Sequence, residues 1–117
     1  MTAKESPGYS LAELNERLMI SREFDSTDAA ELLEIGIVLI NTDFATAEAA
    51  FGSGQLQSGL AMLHKIKGSA ANIGLPELAT LATAGEQAAN AGDIINLKKL
   101  LAEMRLVIAA LPEGKNV

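Results

Sequence analysis

Apolar positions recur along this chain at helical spacing, in segments separated by clusters of Gly, Pro, Ser, Thr, Asn and Asp. Residues 1–9, MTAKESPGY, lack that period and are broken by Pro7-Gly8, so they predict a flexible tail. Ser10 opens the first helix. Ser10-Leu11-Ala12-Glu13 reads as a capping box, and Leu11, Leu14 and Leu18 then share a face. A second helix begins in the N-cap cluster Asp25-Ser26-Thr27-Asp28 and carries Ala29, Leu32, Leu33 and Ile37 to about Ile40. The run from Ile35 to Ile40 has the composition of a buried strand. No second strand pattern exists to pair with it, which leaves helix. Asn41-Thr42-Asp43 is then expected to cap a separate short helix, Phe44 to Phe51, closed by Gly52-Ser53-Gly54.

Three longer helices follow, Gln55 to Asn72, Pro76 to Ala91 and Ile94 to Leu111. Gly74 suits the left-handed position past a helix end and Pro76 the first turn of the next helix, so Gly74-Leu75-Pro76 predicts a tight helical hairpin. Gly92-Asp93 predicts a second one. The last helix spaces Ile94, Leu97, Leu101, Met104, Ile108 and Leu111 as a continuous apolar seam. Short links between long amphipathic helices make neighbours antiparallel. The predicted fold is all-α, an up-and-down antiparallel four-helix bundle with one or two additional short N-terminal helices. It spans residues 10–112 as one domain, with a second flexible tail at 113–117.

Composition removes whole classes of function. There is no cysteine and only one histidine, which excludes disulfides, thiol chemistry and an ordinary zinc site. Aromatic residues make up 3% of the chain and the net charge is −6, so neither base stacking nor phosphate-backbone binding to nucleic acid is expected. The longest apolar runs, Ile37 to Ile40 and Leu106 to Pro112, are too short to span a bilayer, and the N-terminus has no signal-peptide pattern. A reducing, cytoplasmic setting fits.

The single histidine sits on the helix from Gln55 to Asn72. At about 100° per residue, Leu56, Gly59, Met62, Leu63, Ile66, Ala70 and Ile73 fall in one arc from about 160° to 280° away from His64. That arc is the buried face, so His64 points to solvent. Around it on the wheel lie Gln57, Leu60, Ala61, Lys67, Gly68 and Ala71, a patch of mostly small residues with one cation. A lone histidine is more often a core residue or an indifferent surface one. The wheel removes the first reading, and Gly68 weighs against the second, because a glycine inside a helix costs about 1 kcal/mol relative to Ala. Without a side chain there, the imidazole stays open and another backbone can come close. Lys67, one turn on, can offset the charge of an anionic group on the ring. The wheel shows no acidic cluster to hold a metal, no Gly-rich nucleotide loop and no general base beside the imidazole.

The string His64-Lys65-Ile66-Lys67-Gly68-Ser69-Ala70-Ala71-Asn72-Ile73-Gly74 resembles the histidine phosphotransfer family of two-component phosphorelays, whose motif is His-x-x-Lys-Gly-Ser with a Gly after four more residues. The likeness extends through Leu78, Leu81, Glu86 and Gly92-Asp93 and back to Phe44, about residues 25–111. It implies that His64 accepts a phosphoryl group from a receiver-domain aspartate and donates it to another receiver, with Lys67 stabilising the phosphoryl group and Gly68 giving access. Gln57, Leu60, Ala61, Lys65 and Ala71 would form the docking surface. The resemblance implies a carrier and not an enzyme, with no cofactor of its own, since receivers supply the Mg²⁺ and most catalytic groups. Its partners would be response-regulator receiver domains and a hybrid sensor histidine kinase, and the domain itself a monomer, free-standing or the cytoplasmic end of such a kinase.

The chain departs from the family pattern at Leu63 and Ile66, both conservative, and at Gly85, where a large apolar residue is usual. Gly85 is expected to alter packing between the last two helices. The rival reading is a helical docking module that is never phosphorylated; such a relative would be expected to lose His64 or Lys67, and both are present. A hydrolase using His64 as base lacks a Ser, Asp or Cys arranged as its partner.

Overall fold

The computed structural model describes residues 10, 13, 14 and 26–112, and among these it contains helices and no strand. Four helices run in order: α1, Ser26–Gly52; α2, Leu56–Asn72; α3, Pro76–Ala91; and α4, Ile94–Ala109. Each packs on the next in the chain, and α1 also touches α4. The expected bundle is therefore present. Of the predicted N-terminal helix, the capping box is formed. The Glu13 backbone N–H donates to Ser10 Oγ at 3.0 Å, and Leu14, fully buried, joins the core. The calls on Leu11, Leu18 and the two tails lie outside the described residues.

The expected break at Asn41-Thr42-Asp43 does not occur, and the predicted short helix is the second half of α1. The reason is the apolar stripe. Ala29, Leu33, Ile37, Ile40, Phe44, Ala47 and Ala50 are all buried, and their spacing of three or four continues straight through the three polar residues. Asn41, a natural cap, instead turns its amide onto the carbonyl of Ile37 at 2.9 Å, one helical turn back. Segment 28–52 is long and apolar enough to pass for a membrane span. The buried stripe carries part of that apolarity, Ile35 and Leu39 of the same helix are exposed, and Asp28, Glu31, Glu34, Asp43 and Glu48 lie along the segment.

All three links use one device. Gly54, Gly74 and Gly92 have φ of 76°, 78° and 74°, the left-handed conformation that costs glycine least. In each, the glycine N–H bonds back three residues and the next N–H bonds back five, as in Leu75 to Ala70 at 2.8 Å and Asp93 to Ala88 at 2.9 Å. Pro76 starts α3, and the Asp93 carboxylate accepts from the Asn96 N–H at 3.1 Å to start α4. These turns reverse the chain within two or three residues and hold adjacent helices antiparallel.

The core collects Leu33, Ile37, Ile40, Leu63, Ile66, Leu78 and Met104 from all four helices, with Ile73 from the link after α2. Two apolar residues expected in the buried seams are outside them. Leu56 and Ile94 are the first residues of their helices and are 40% and 53% exposed. They line a cleft of about 770 Å³ at one end of the bundle, floored by Phe51, Leu97 and Leu101 and crossed by an Arg105–Glu48 ion pair.

Candidate functional site

The buried side of α2 is Gly59, Leu63, Ile66 and Ala70, which leaves the opposite side to solvent. His64 lies there, its side chain 72% exposed. Gln57, Ala61, Lys65, Gly68 and Ala71 are exposed beside it. Leu60 and Lys67 are half-buried at the edge of the patch, Leu60 packing on the core and Lys67 leaning toward α3. The patch predicted from the wheel is thus continuous, with its boundary on the α3 side drawn by those two residues.

What the wheel could not show comes from α3. Glu86 places one carboxylate oxygen 3.4 Å from Nδ1 of His64 and the other 3.3 Å from Nζ of Lys67. The expectation that no general base stands beside the imidazole is therefore wrong. A helical wheel contains only one helix, and this carboxylate belongs to the next. Glu86 is itself mostly covered, its side chain 19% exposed, so its attraction for both neighbours is screened less than on an open surface. With Nδ1 facing Glu86, the other ring nitrogen, Nε2, faces away from it.

Gly85 explains how Glu86 reaches so far. A Cβ built on Gly85 would meet Cδ1 of Leu63 at 3.1 Å, tighter than ordinary contact. The glycine lets α3 approach α2 at the level of His64, and the next residue in the chain is the carboxylate. The packing effect expected of Gly85 falls between α2 and α3, not between the last two helices, because Gly85 faces Leu63. Gly68 has no such internal cause, since a Cβ built there meets nothing within 4 Å.

On the other flank, Lys65 pairs with Asp43 of α1 at 3.7 Å. Asp43, expected to be a helix cap, is 5% exposed and is a buried carboxylate in mid-helix, where lack of a cation would be costly. Lys65 and Lys67 thus each answer a carboxylate from a neighbouring helix, one from α1 and one from α3, and His64 stands between them. Among the described residues no group of His, Asp and Glu gathers in a way that could hold a metal ion.

Comparison with known proteins adds one match. A family model described as Hpt domain matches residues 31–114, most of the chain, from within α1 to beyond the end of α4. No curated protein and no solved structure matches.

Proposed function

The chain belongs to the Hpt domain family, and on that premise we propose that it carries a phosphoryl group on Nε2 of His64, taking it from the aspartate of one receiver domain and passing it to another. Hpt domains are phosphocarrier modules of two-component signalling, not catalysts. The observation that carries the assignment is the ring itself, 72% exposed, with Nδ1 turned to Glu86 and Nε2 turned away.

The chemistry follows from that placement. A proton on Nδ1 leaves the lone pair on Nε2, the outward nitrogen. That lone pair attacks the phosphorus of an aspartyl phosphate as the P–O bond to the aspartate breaks and a carboxylate leaves. Mg²⁺ and most of the catalytic groups belong to the receiver. Lys67 supplies a charge-assisted contact to the phosphoryl oxygens. Gly68, with Gln57, Leu60, Ala61, Lys65 and Ala71, forms the surface on which a receiver docks closely enough for direct transfer. The partners are response-regulator receivers and, upstream, a hybrid sensor kinase; the carrier works as a cytoplasmic monomer.

The test is direct. Incubated with phosphorylated receivers, the wild-type domain gains an acid-labile, base-stable label, and His64→Gln gains none. A label on the variant, or none on the wild type with any receiver of its source, refutes the assignment.

A further inference from the structure

We infer that the cleft between α1 and α4 is a docking groove, and that its occupant is an acidic amphipathic helix of another protein. The inference goes beyond the carrier assignment and does not depend on it, because it uses neither His64 nor the face around it.

Small residues keep the groove open. Ala49 and Gly52 stand on its α1 side and Ala102 on its α4 side, and these two helices touch less than any consecutive pair does. Along α4 the lining runs from Ile94 to Arg105, about 16 Å or three helical turns. A groove of that length between two helices, floored by large apolar side chains and walled by small ones, has the holes that receive the apolar stripe of a third helix. The outer side of α4 continues the same surface. Ile95, Ala102 and Leu106 fall within about 40° of one another around the helix, and Ile95 and Leu106 are 84% and 72% exposed. A small molecule seated in the groove would leave both in water, whereas side chains at the edge of a helix lying along α4 would cover them.

The charges select the sign of the occupant. The chain has a net charge of −6, yet Lys98 and Arg105 both line the groove and Glu48 is the one carboxylate among its described lining residues. Arg105 already answers Glu48, and Lys98 pairs with no carboxylate among the described residues. Seven residues apart on α4, the two cations stand on one lip of the groove, about two turns from each other, with Lys99 next to Lys98. An occupant whose own carboxylates are spaced seven residues apart meets both, and a basic one meets like charge.

A helix bound there leaves the outer face of α2 free. α4 packs on α1 and α3 and not on α2, and of α2 only its first residue, Leu56, reaches the groove. One protein can therefore hold the domain through α4 while the face around His64 stays open to another.

The probe is a pair of synthetic helical peptides, each with a leucine stripe flanked by two ionic positions seven residues apart, glutamate in one peptide and lysine in the other. Titrated into the whole domain labelled with nitrogen-15, the glutamate peptide should shift the amides of Ala49, Gly54 and Ala102 and leave those of Lys65 and Gly68 in place. It should bind at least about tenfold tighter than the lysine peptide, a gap that narrows as salt is raised. Lys98→Glu, at an exposed position, should remove or invert that preference, and Ala102→Trp, which fills the groove from its lip, should weaken the glutamate peptide at least about tenfold. Equal affinity for the two peptides, shifts confined to the face around His64, or no binding of either overturns the inference. So does self-association of the domain that Lys98→Glu or Ala102→Trp abolishes, since a second copy would then be the occupant. A domain that binds the glutamate peptide in the groove and takes no label on His64 upholds this inference and fails the carrier assignment alone.

Discussion

The seam between α1 and α2 and the outer face of α2 each contain a glycine inside a helix, and the two glycines have opposite causes. At Gly36, in the seam, an added Cβ would lie 2.5 Å from Cγ2 of the buried Ile73. At Gly68, on the outer face, an added Cβ would meet nothing. Each lowers helix propensity by about 1 kcal/mol relative to Ala. In the seam that loss is offset by the close packing of two helices. On the outer face nothing among the described residues offsets it, in keeping with the docking role proposed for Gly68. A helix surface can therefore be divided into structural and functional halves by asking what each glycine leaves room for.

Four substitutions test that division. The largest effect is expected from His64→Gln on the outer face, which should abolish phosphoryl acceptance while changing unfolding free energy by no more than about 0.5 kcal/mol. Radiolabel transfer and a denaturant melt on the same preparation decide it, and an unfolded variant would move His64 into the core. Lys67→Ala, at the edge of that face, should slow transfer by about one to two decades, the scale of a charge-assisted contact of roughly 1.5–3 kcal/mol. Rapid-quench kinetics with one receiver measure it; an unchanged rate would leave Lys67 only its pairing with Glu86.

Gly36→Leu, in the seam, should do the reverse of these. Overpacking against Ile73, a stiff β-branched side chain, should lower stability by about 1–3 kcal/mol or more, with transfer by the folded fraction little altered. Urea titration followed by circular dichroism reads it directly, and full stability would show that the seam can open. The smallest effect on the fold is expected at Gly68→Gln, where helix propensity should raise stability by several tenths of a kcal/mol. Receiver binding, followed by calorimetry, should weaken at the same time. If instead this variant lost several kcal/mol, the two glycines would be alike and the division would fail.

Much of the fold was legible in the residues, and the exceptions share a cause. Gly74-Leu75-Pro76 and Gly92-Asp93 announced their turns because a left-handed backbone and a helix start have narrow residue requirements. Asn41-Thr42-Asp43 misled because the same residues that cap a helix can be satisfied inside one, Asn41 by the Ile37 carbonyl and Asp43 by Lys65. The unbroken spacing of Leu33, Ile37, Ile40, Phe44 and Ala47 was the better signal, since burial outweighs a propensity of tenths of a kcal/mol. Leu56 and Ile94 fitted the apolar period of their helices but sit at helix starts beside an open cleft. The face carrying His64 could be read from one helix alone. Glu86 could not, because its contacts join residues about twenty positions apart on separate helices, and periodicity carries no information about that distance. Gly85, legible only as an oddity, was the nearest clue to it.

The three glycine turns have a consequence for how the domain assembles. Each joins helices that are neighbours both in the chain and in space, so most of the packing among the four described helices closes over loops of two or three residues, and among them only the α1–α4 contact joins helices that are not consecutive. Small loops cost little chain entropy to close, and helical domains dominated by local contacts fold on the order of microseconds to milliseconds. A chain leaving the ribosome can therefore pair α1 with α2, and that hairpin with α3, as each helix emerges. The motif helix is then already seated before α4 arrives to close the bundle.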